Sequence, residues 1–264
     1  MKPFFCLLCL AISLTMSSQA AVKGENVEYK VGDKTFKGYI AYDDQVTGKR
    51  PAILVVHEYW GQNAYARHRA DMLAEIGYTA MALDMYGDGI NATDPKQASS
   101  LSQAVVKDPE AAKERFLVAM NLLKGFRYTD PNSIGAIGYC FGGFIVLEMA
   151  LAGVDLAGVV SFHGALPPVP VGIKPGDVKA KILICHGAAD KMVTPDKVAA
   201  FREAMDEAGI KYRFIAYEGA THVFTNPMAD EIAKKFNLPI AYNPKADKES
   251  WDAMKSFFKN LFGI

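Results

Sequence analysis

The chain has 264 residues, half of them hydrophobic, with 29 basic and 29 acidic side chains. That length holds one large α/β domain or two small ones, and the apolar content is enough for a sizeable core. A formal net charge of zero without a basic patch argues against nucleic acid or an anionic membrane surface as a partner.

In chain order, the first 20 residues read as a cleavable export signal. Lys2 supplies the positive start, Phe4 to Leu14 is an 11-residue apolar stretch broken by Ser13, and Ser18-Gln19-Ala20 places small residues where a signal peptidase reads. Eleven residues are too few to cross a bilayer as a helix, so no stable membrane anchor is expected. Removing residues 1–20 takes one lysine and no acid, leaving 28 basic against 29 acidic groups on a mature chain read as one domain over 21–264. The expected location is the periplasm or the outside of the cell. Cys6 and Cys9 leave with the signal, while Cys140 and Cys185 remain. Two cysteines in an exported chain usually suggest a disulfide. Here each ends a different apolar run, so both are expected as free thiols, with Cys185 a small buried hydrophobe.

Val27 to Asp43 reads as a hairpin around Gly32-Asp33. Ala52 to Val56 is a continuous apolar run, as a strand buried on both faces requires. Asn63 to Ile76 has helical spacing and stops at Gly77, and Tyr78 to Leu83 is the next strand. Gly87 to Ser99, polar and containing Gly and Pro, reads as a loop. Pro109 to Lys124 is a helix closed by Gly125. Ser133 to Gly138 is a strand that turns into a helix around Phe144 to Ala150. Gly158 to Phe162 and Lys181 to Cys185 are further strands. Thr194 to Ala208 is a helix with Thr194-Pro195 as N-cap and first helical residue. Lys211 to Tyr217 is a strand, and Lys248 to Leu261 a final amphipathic helix. Seven or eight strands with intervening helices predict a mostly parallel central sheet covered by helices on both faces.

In such sheets the chemistry gathers beyond the carboxyl ends of the strands. Gly138-Tyr139-Cys140-Phe141-Gly142-Gly143 sits at one such end and has the pattern of a nucleophile elbow, with Cys where Ser usually stands. Its glycines let strand and helix approach closely around a strained nucleophile. The strand 182–185 runs on to Asp190, and the strand ending at Tyr217 runs on to His222. Cys140, Asp190 and His222 thus follow the chain order nucleophile, acid, histidine of α/β-hydrolases. In that arrangement His222 takes the Cys140 proton and Asp190 fixes the imidazole tautomer. The alternatives at this point are a helix or turn cap for Asp190 and a solvated loop position for His222.

A second cluster, His57-Glu58-Tyr59-Trp60-Gly61, ends the strand 52–56, and Asp84-Met85-Tyr86-Gly87 ends the next. With the Cys elbow, Asp190 and His222, these segments resemble the dienelactone hydrolase family, a branch of the α/β-hydrolases. The likeness runs from about Val27 to Phe262. The resemblance implies a hydrolase of lactones, esters or thioesters working through an acyl-Cys140 intermediate, with a small-molecule substrate. It further implies that Glu58 contacts the cysteine and takes part in switching it on, and that the backbone amides of Tyr59 and Phe141 form an oxyanion hole. The family's enzymes for anionic dienelactone hold the substrate carboxylate with arginines after the Asp-x-Tyr segment and after the histidine. Here those regions read Tyr86-Gly87-Asp88-Gly89-Ile90 and Val223-Phe224-Thr225-Asn226-Pro227, without arginine. A carboxylate without a bidentate partner binds poorly, so the expected substrate is neutral. Trp60, Tyr86, Phe162 and Phe224 are the expected pocket residues, together with Tyr59.

His57 is read as a structural hydrogen-bonding residue, and His68, within Arg67-His68-Arg69, as part of a solvated helix surface. The histidines show no zinc spacing and no Gly-rich phosphate loop appears, so no metal or cofactor is expected. Two rival readings remain open on the sequence: a thiol redox protein using Cys140 with Cys185, and a non-catalytic binding protein on a hydrolase fold.

Overall fold

Residues 52–56 become the centre of the sheet. Ala52, Leu54 and Val56 enter one apolar layer and Ile53 and Val55 the other, all five fully buried. This alternation is the period of two that a strand imposes. Each fully enclosed valine, leucine or isoleucine side chain contributes roughly 1.5–3 kcal/mol. The structure, a computed structural model, describes residues 21–263; the N-terminal segment read as an export signal, with Cys6 and Cys9, lies outside them.

The strand β3 (Arg50–Val56) pairs in parallel with β4 (Thr79–Leu83) and β5 (Thr129–Tyr139). Beyond β5 the parallel array continues through β6 (Gly158–Phe162), β7 (Lys181–Gly187) and β8 (Arg213–Tyr217). The hairpin of β1 (Val22–Val31) and β2 (Lys34–Asp43) joins the other edge, with β2 antiparallel to β4. The order is β1-β2-β4-β3-β5-β6-β7-β8. The mostly parallel sheet with helices on both faces expected from the sequence is the architecture observed.

One face is covered by α1 (Ala64–Glu75) and α7 (Pro244–Phe262). The other is covered by α3 (Pro109–Lys124), α4 (Phe141–Leu151) and α5 (Pro195–Glu207). Two helices were not expected. The segment read as a loop to Ser99 contains the start of α2 (Pro95–Val106), because Asp94 Oδ1 caps the amides of Lys96 and Gln97 and Pro95 is set for a first turn. Its buried face is just Ala98 and Val105, too thin a stripe to announce a helix. The short α6 (Ala229–Phe236) buries Ala229 alone and stops at Asn237 in the left-handed region, φ 53°. The final helix also begins at Pro244 rather than Lys248, capped by Asn243 on the amide of Ala246. Thr194 stands at the N-cap of α5 but its side chain makes no capping bond. Among the described residues no helix is long and apolar enough to cross a membrane.

Candidate active site

Strand β5 ends at Tyr139 and α4 begins at Phe141, so Cys140 alone makes the turn, at φ 53° and ψ −112°. A non-glycine residue there costs on the order of 1–3 kcal/mol. The flanking glycines are required by space. A Cβ on Gly138 would lie 2.0 Å from the carbonyl oxygen of Gly142, and one on Gly142 would lie 2.2 Å from that of Val56. Strand, turn and helix are thus pressed together, and the strain falls on the residue that carries the thiol. His163 (φ 41°) and Val223 (φ 62°) also adopt positive φ nearby.

The loops after β7 and β8 bring Asp190 and His222 to this turn. His222 Nε2 lies 3.1 Å from Cys140 Sγ, and its Nδ1 lies 2.7 Å from Asp190 Oδ2. Asp190 also performs the capping task that the sequence left open: its Oδ1 accepts the amides of Met192 at 2.7 Å and Val193 at 3.0 Å. One oxygen shapes the loop while the other faces the imidazole. Burial would raise the Asp190 pKa, but the His222 contact and the two amides hold it below the ordinary value. Burial likewise disfavours a charged His222, yet its charge and hydrogen-bond contacts with Cys140 and Asp190 outweigh this and raise it to about 10.

Glu58, at the end of β3, is 2 % exposed. Its Oε2 accepts the side-chain amide of Asn226 at 2.8 Å, and its Oε1 is enclosed without a partner among the described residues. Burial dominates, against the opposing pull of Asn226, His222 and Arg69, and lifts the carboxyl to about 7. The contact between Glu58 and the cysteine that the resemblance implies is not a hydrogen bond in this arrangement: Sγ faces His222 and Glu58 faces Asn226. The side chain of His57 bridges this loop to the next. Its Nε2 accepts the amide of Met85 at 3.2 Å, which leaves Nδ1–H to donate to the Glu58 carbonyl at 2.5 Å. Asp84 staples the same edge by accepting amides of Lys37, Tyr86, Gly87 and Gly89.

Above the thiol opens a cavity of about 340 Å³. Its wall combines Tyr59, Cys140, Phe141, Phe144 and His222 with Val106 of α2, Met192 and Val193 after β7, and Leu238 and Ile240 after α6. Among the described residues no lysine, arginine, aspartate or glutamate lines it. The amides of Tyr59 and Phe141, the expected oxyanion donors, belong to residues of this wall.

The other four expected pocket aromatics lie behind the wall, which corrects the sequence reading. Tyr86 packs against His57 and Phe141 and donates its hydroxyl to the Tyr59 carbonyl at 2.9 Å, fixing the loop rather than meeting a ligand. Trp60 packs against Tyr59 and Phe236. Phe162 stacks on Tyr139, and Phe224 packs against His163 and Tyr217. Phe162 is a core residue because side chains along a strand point to the faces of the sheet, and Phe224 folds back onto the same layer from the loop beyond β8.

Arg69 was missed as well. Read as helix surface, it is 3 % exposed and donates to the Thr225 carbonyl and Asp247 Oδ1, both at 2.6 Å. A lone arginine on the alanine-rich face of α1 was the available signal. Asn226, four residues past His222, had none. Cys140 and Cys185 are both free thiols. Cys185 is fully buried, beside the Tyr217 hydroxyl, and burial pushes its pKa up to about 12. Such a thiol is a poor resolving partner for a redox pair.

The profile of the dienelactone hydrolase family matches residues 36–262. A candidate carboxymethylenebutenolidase of Aquifex aeolicus is 27 % identical over 241 residues, covering 89 % of this chain and 98 % of its own. Among solved structures, a dienelactone hydrolase-like promiscuous phosphotriesterase from metagenomic libraries superposes with a TM-score of 0.85 at 32 % identity, covering 91 % of this chain and 99 % of its own. A protein named m3DLH gives the same TM-score at 33 % identity, covering 92 % and 99 %. With the matched region running from β2 through the elbow and both downstream loops, the chain belongs to the dienelactone hydrolase family of α/β-hydrolases.

Proposed function

We propose that this hydrolase cleaves neutral esters, thioesters or lactones through a covalent acyl-Cys140 intermediate. The observation that carries the reading is the continuous line from Cys140 Sγ to His222 to Asp190 at the floor of an apolar cavity.

In this reading His222 holds the Cys140 proton and the thiolate attacks the acyl carbon. The carbonyl π electrons move onto oxygen, where the amides of Tyr59 and Phe141 receive the charge. The tetrahedral adduct collapses, the bond from the acyl carbon to the leaving oxygen (or sulfur, in a thioester) breaks, and the leaving alkoxide or thiolate takes the proton from His222. Water then gives a proton to His222 as its oxygen attacks the thioester; the bond from the acyl carbon to Sγ breaks, the sulfur takes the proton back from His222, and the acid is released. Asp190 stabilises the imidazolium in both halves. The cavity favours an uncharged acyl group because no lysine or arginine among the described residues lines it, and the charge of His222 is taken up by Cys140 and Asp190, leaving the desolvation of a carboxylate without an offset. A neutral phosphotriester, the substrate class in the name of one structural neighbour, meets the same requirement.

Intact-mass analysis with an excess of activated ester tests the mechanism. The expected result is a single acyl adduct that maps to Cys140 and disappears in Cys140→Ala. Turnover without any adduct on Cys140, even under rapid quench, would overturn it. We further propose export with loss of residues 1–20, supported by the Lys2, 4–14 and Ser18-Gln19-Ala20 pattern. N-terminal sequencing of the protein from its native host should begin at Ala21; an intact Met1 terminus in the cytosolic fraction would refute export.

A further inference from the structure

We infer that His163, a histidine outside the reaction steps above, is a positioning residue that holds the Cys140 backbone in its strained turn and keeps Sγ in line with His222. The inference rests on Cys140 being the nucleophile.

His163 leaves β6 with no side-chain exposure and with φ 41°. Its Nδ1 accepts the backbone N–H of Cys140 at 3.1 Å, while the carbonyl of Phe162 accepts the same N–H at 3.0 Å. The Tyr139–Cys140 peptide is therefore gripped from two sides, by the strand ladder and by an imidazole. A ring nitrogen that accepts must be unprotonated, so the neutral ring carries its proton on Nε2. That nitrogen lies 2.7 Å from Thr225 Oγ1 and donates to it. Burial, reinforced by the neighbouring His222 and Arg69, holds His163 well below the ordinary 6.5, so the lone pair on Nδ1 is available at neutral pH.

The grip is anchored away from the elbow. Thr225 Oγ1 is 2.6 Å from the Tyr65 hydroxyl, which accepts from Arg69 Nε at 3.2 Å. Arg69 in turn is ion-paired to Asp247 of α7. The chain of bonds thus ties the nucleophile turn to α1 and α7, the two helices behind the sheet. The His163 ring also meets His222 edge to face at 5.5 Å and Phe224 at 5.2 Å, which bars rotation. Among the described residues no side chain other than His222 and His163 bonds Cys140, so loss of this acceptor leaves the Phe162 carbonyl as the single hold on the Cys140 N–H and lets the peptide relax from its strained φ, carrying Sγ off the line to His222. A misplacement of about 1 Å at a reacting atom costs on the order of 100-fold in rate.

The test compares His163→Ala, His163→Gln and Thr225→Val with the wild-type chain, reading kcat, KM, the rate of acyl adduct formation and thermal midpoint. The expected result is a loss of about tenfold or more in kcat for His163→Ala, with KM moving less than about threefold and acylation slowed in parallel. His163→Gln, whose amide oxygen can accept the Cys140 N–H, should recover part of the loss. Thr225→Val, which removes the tautomer-fixing acceptor, should lower kcat in the same direction. A folded His163→Ala with wild-type kcat overturns the inference, as does a Gln variant no better than Ala. If the alanine variant does not fold, wild-type kcat in both His163→Gln and Thr225→Val overturns it. Absence of any adduct in the wild-type chain refutes the nucleophile itself, whereas normal acylation in all three variants refutes the role of His163 alone.

Discussion

Asn226 Nδ2 and Glu58 Oε2 are 2.8 Å apart, and this one side-chain bond is set against the complete enclosure of the carboxyl group. Enclosure wins, lifting Glu58 from 4.5 to about 7. Between those values the native chain binds a proton that the unfolded chain has lost, so stability falls as pH rises from about 4.5 to 7 and is flat above. The span corresponds to on the order of 3 kcal/mol. Glu58→Gln should abolish this slope and make the protein more stable than wild type at pH 8. Urea denaturation at pH 5 and pH 8 measures it, and an unchanged slope in the variant would remove Glu58 as its source.

The same pair yields a second expectation. Asn226→Ala takes away a hydrogen bond that favours the charged carboxylate, worth about 1.5–3 kcal/mol to an ionised group. The pH window over which stability falls should therefore extend above 7, in the direction opposite to Glu58→Gln. A variant whose pH profile overlays the wild type would show that Asn226 has no electrostatic hold on Glu58.

If Cys140, His222 and Asp190 act as one unit, their losses should not multiply. Cys140→Ala and His222→Ala should each lower kcat/KM by at least about 10³-fold. The double variant His222→Ala with Asp190→Asn should match His222→Ala alone within about threefold. Multiplying losses would assign Asp190 to its other visible task, the capping of Met192 and Val193.

Cys185→Ala should keep activity near wild type and cost about 1 kcal/mol of stability, since it empties a small volume in β7. A loss of activity comparable to that of Cys140→Ala would instead revive a dithiol mechanism.

Substrate charge provides the last expectation. With no lysine or arginine among the described residues in the cavity wall, aryl esters or lactones should exceed their carboxylated analogues in kcat/KM by about tenfold or more. The reverse preference would require a cation that reaches the site from outside its lining.

Much of this protein was legible in one dimension. The strand at 52–56 is a continuous apolar run, and those read at 158–162 and 181–185 are apolar apart from Ser161 and the exposed Lys181, as burial on both faces requires. The elbow glycines could be read because two backbone segments at van der Waals distance leave no room for a Cβ, whatever the rest of the fold does. Cys140, Asp190 and His222 could be named from their placement at strand ends, since a parallel sheet delivers every such end to one edge. What the tertiary structure decided is how side chains leave those ends. Phe162 and Phe224 turn into the core while Leu238 and Ile240, after a helix with a single buried residue, close the cavity. Val106 reaches the same wall from α2, whose apolar stripe is too narrow to declare itself. The partners of Glu58, His163 and Arg69 lie 168, 62 and 178 residues away, at Asn226, Thr225 and Asp247. Pairings over such separations carry no periodicity. They exist because the folded sheet brings polar groups into a buried interior where most of them must find a partner.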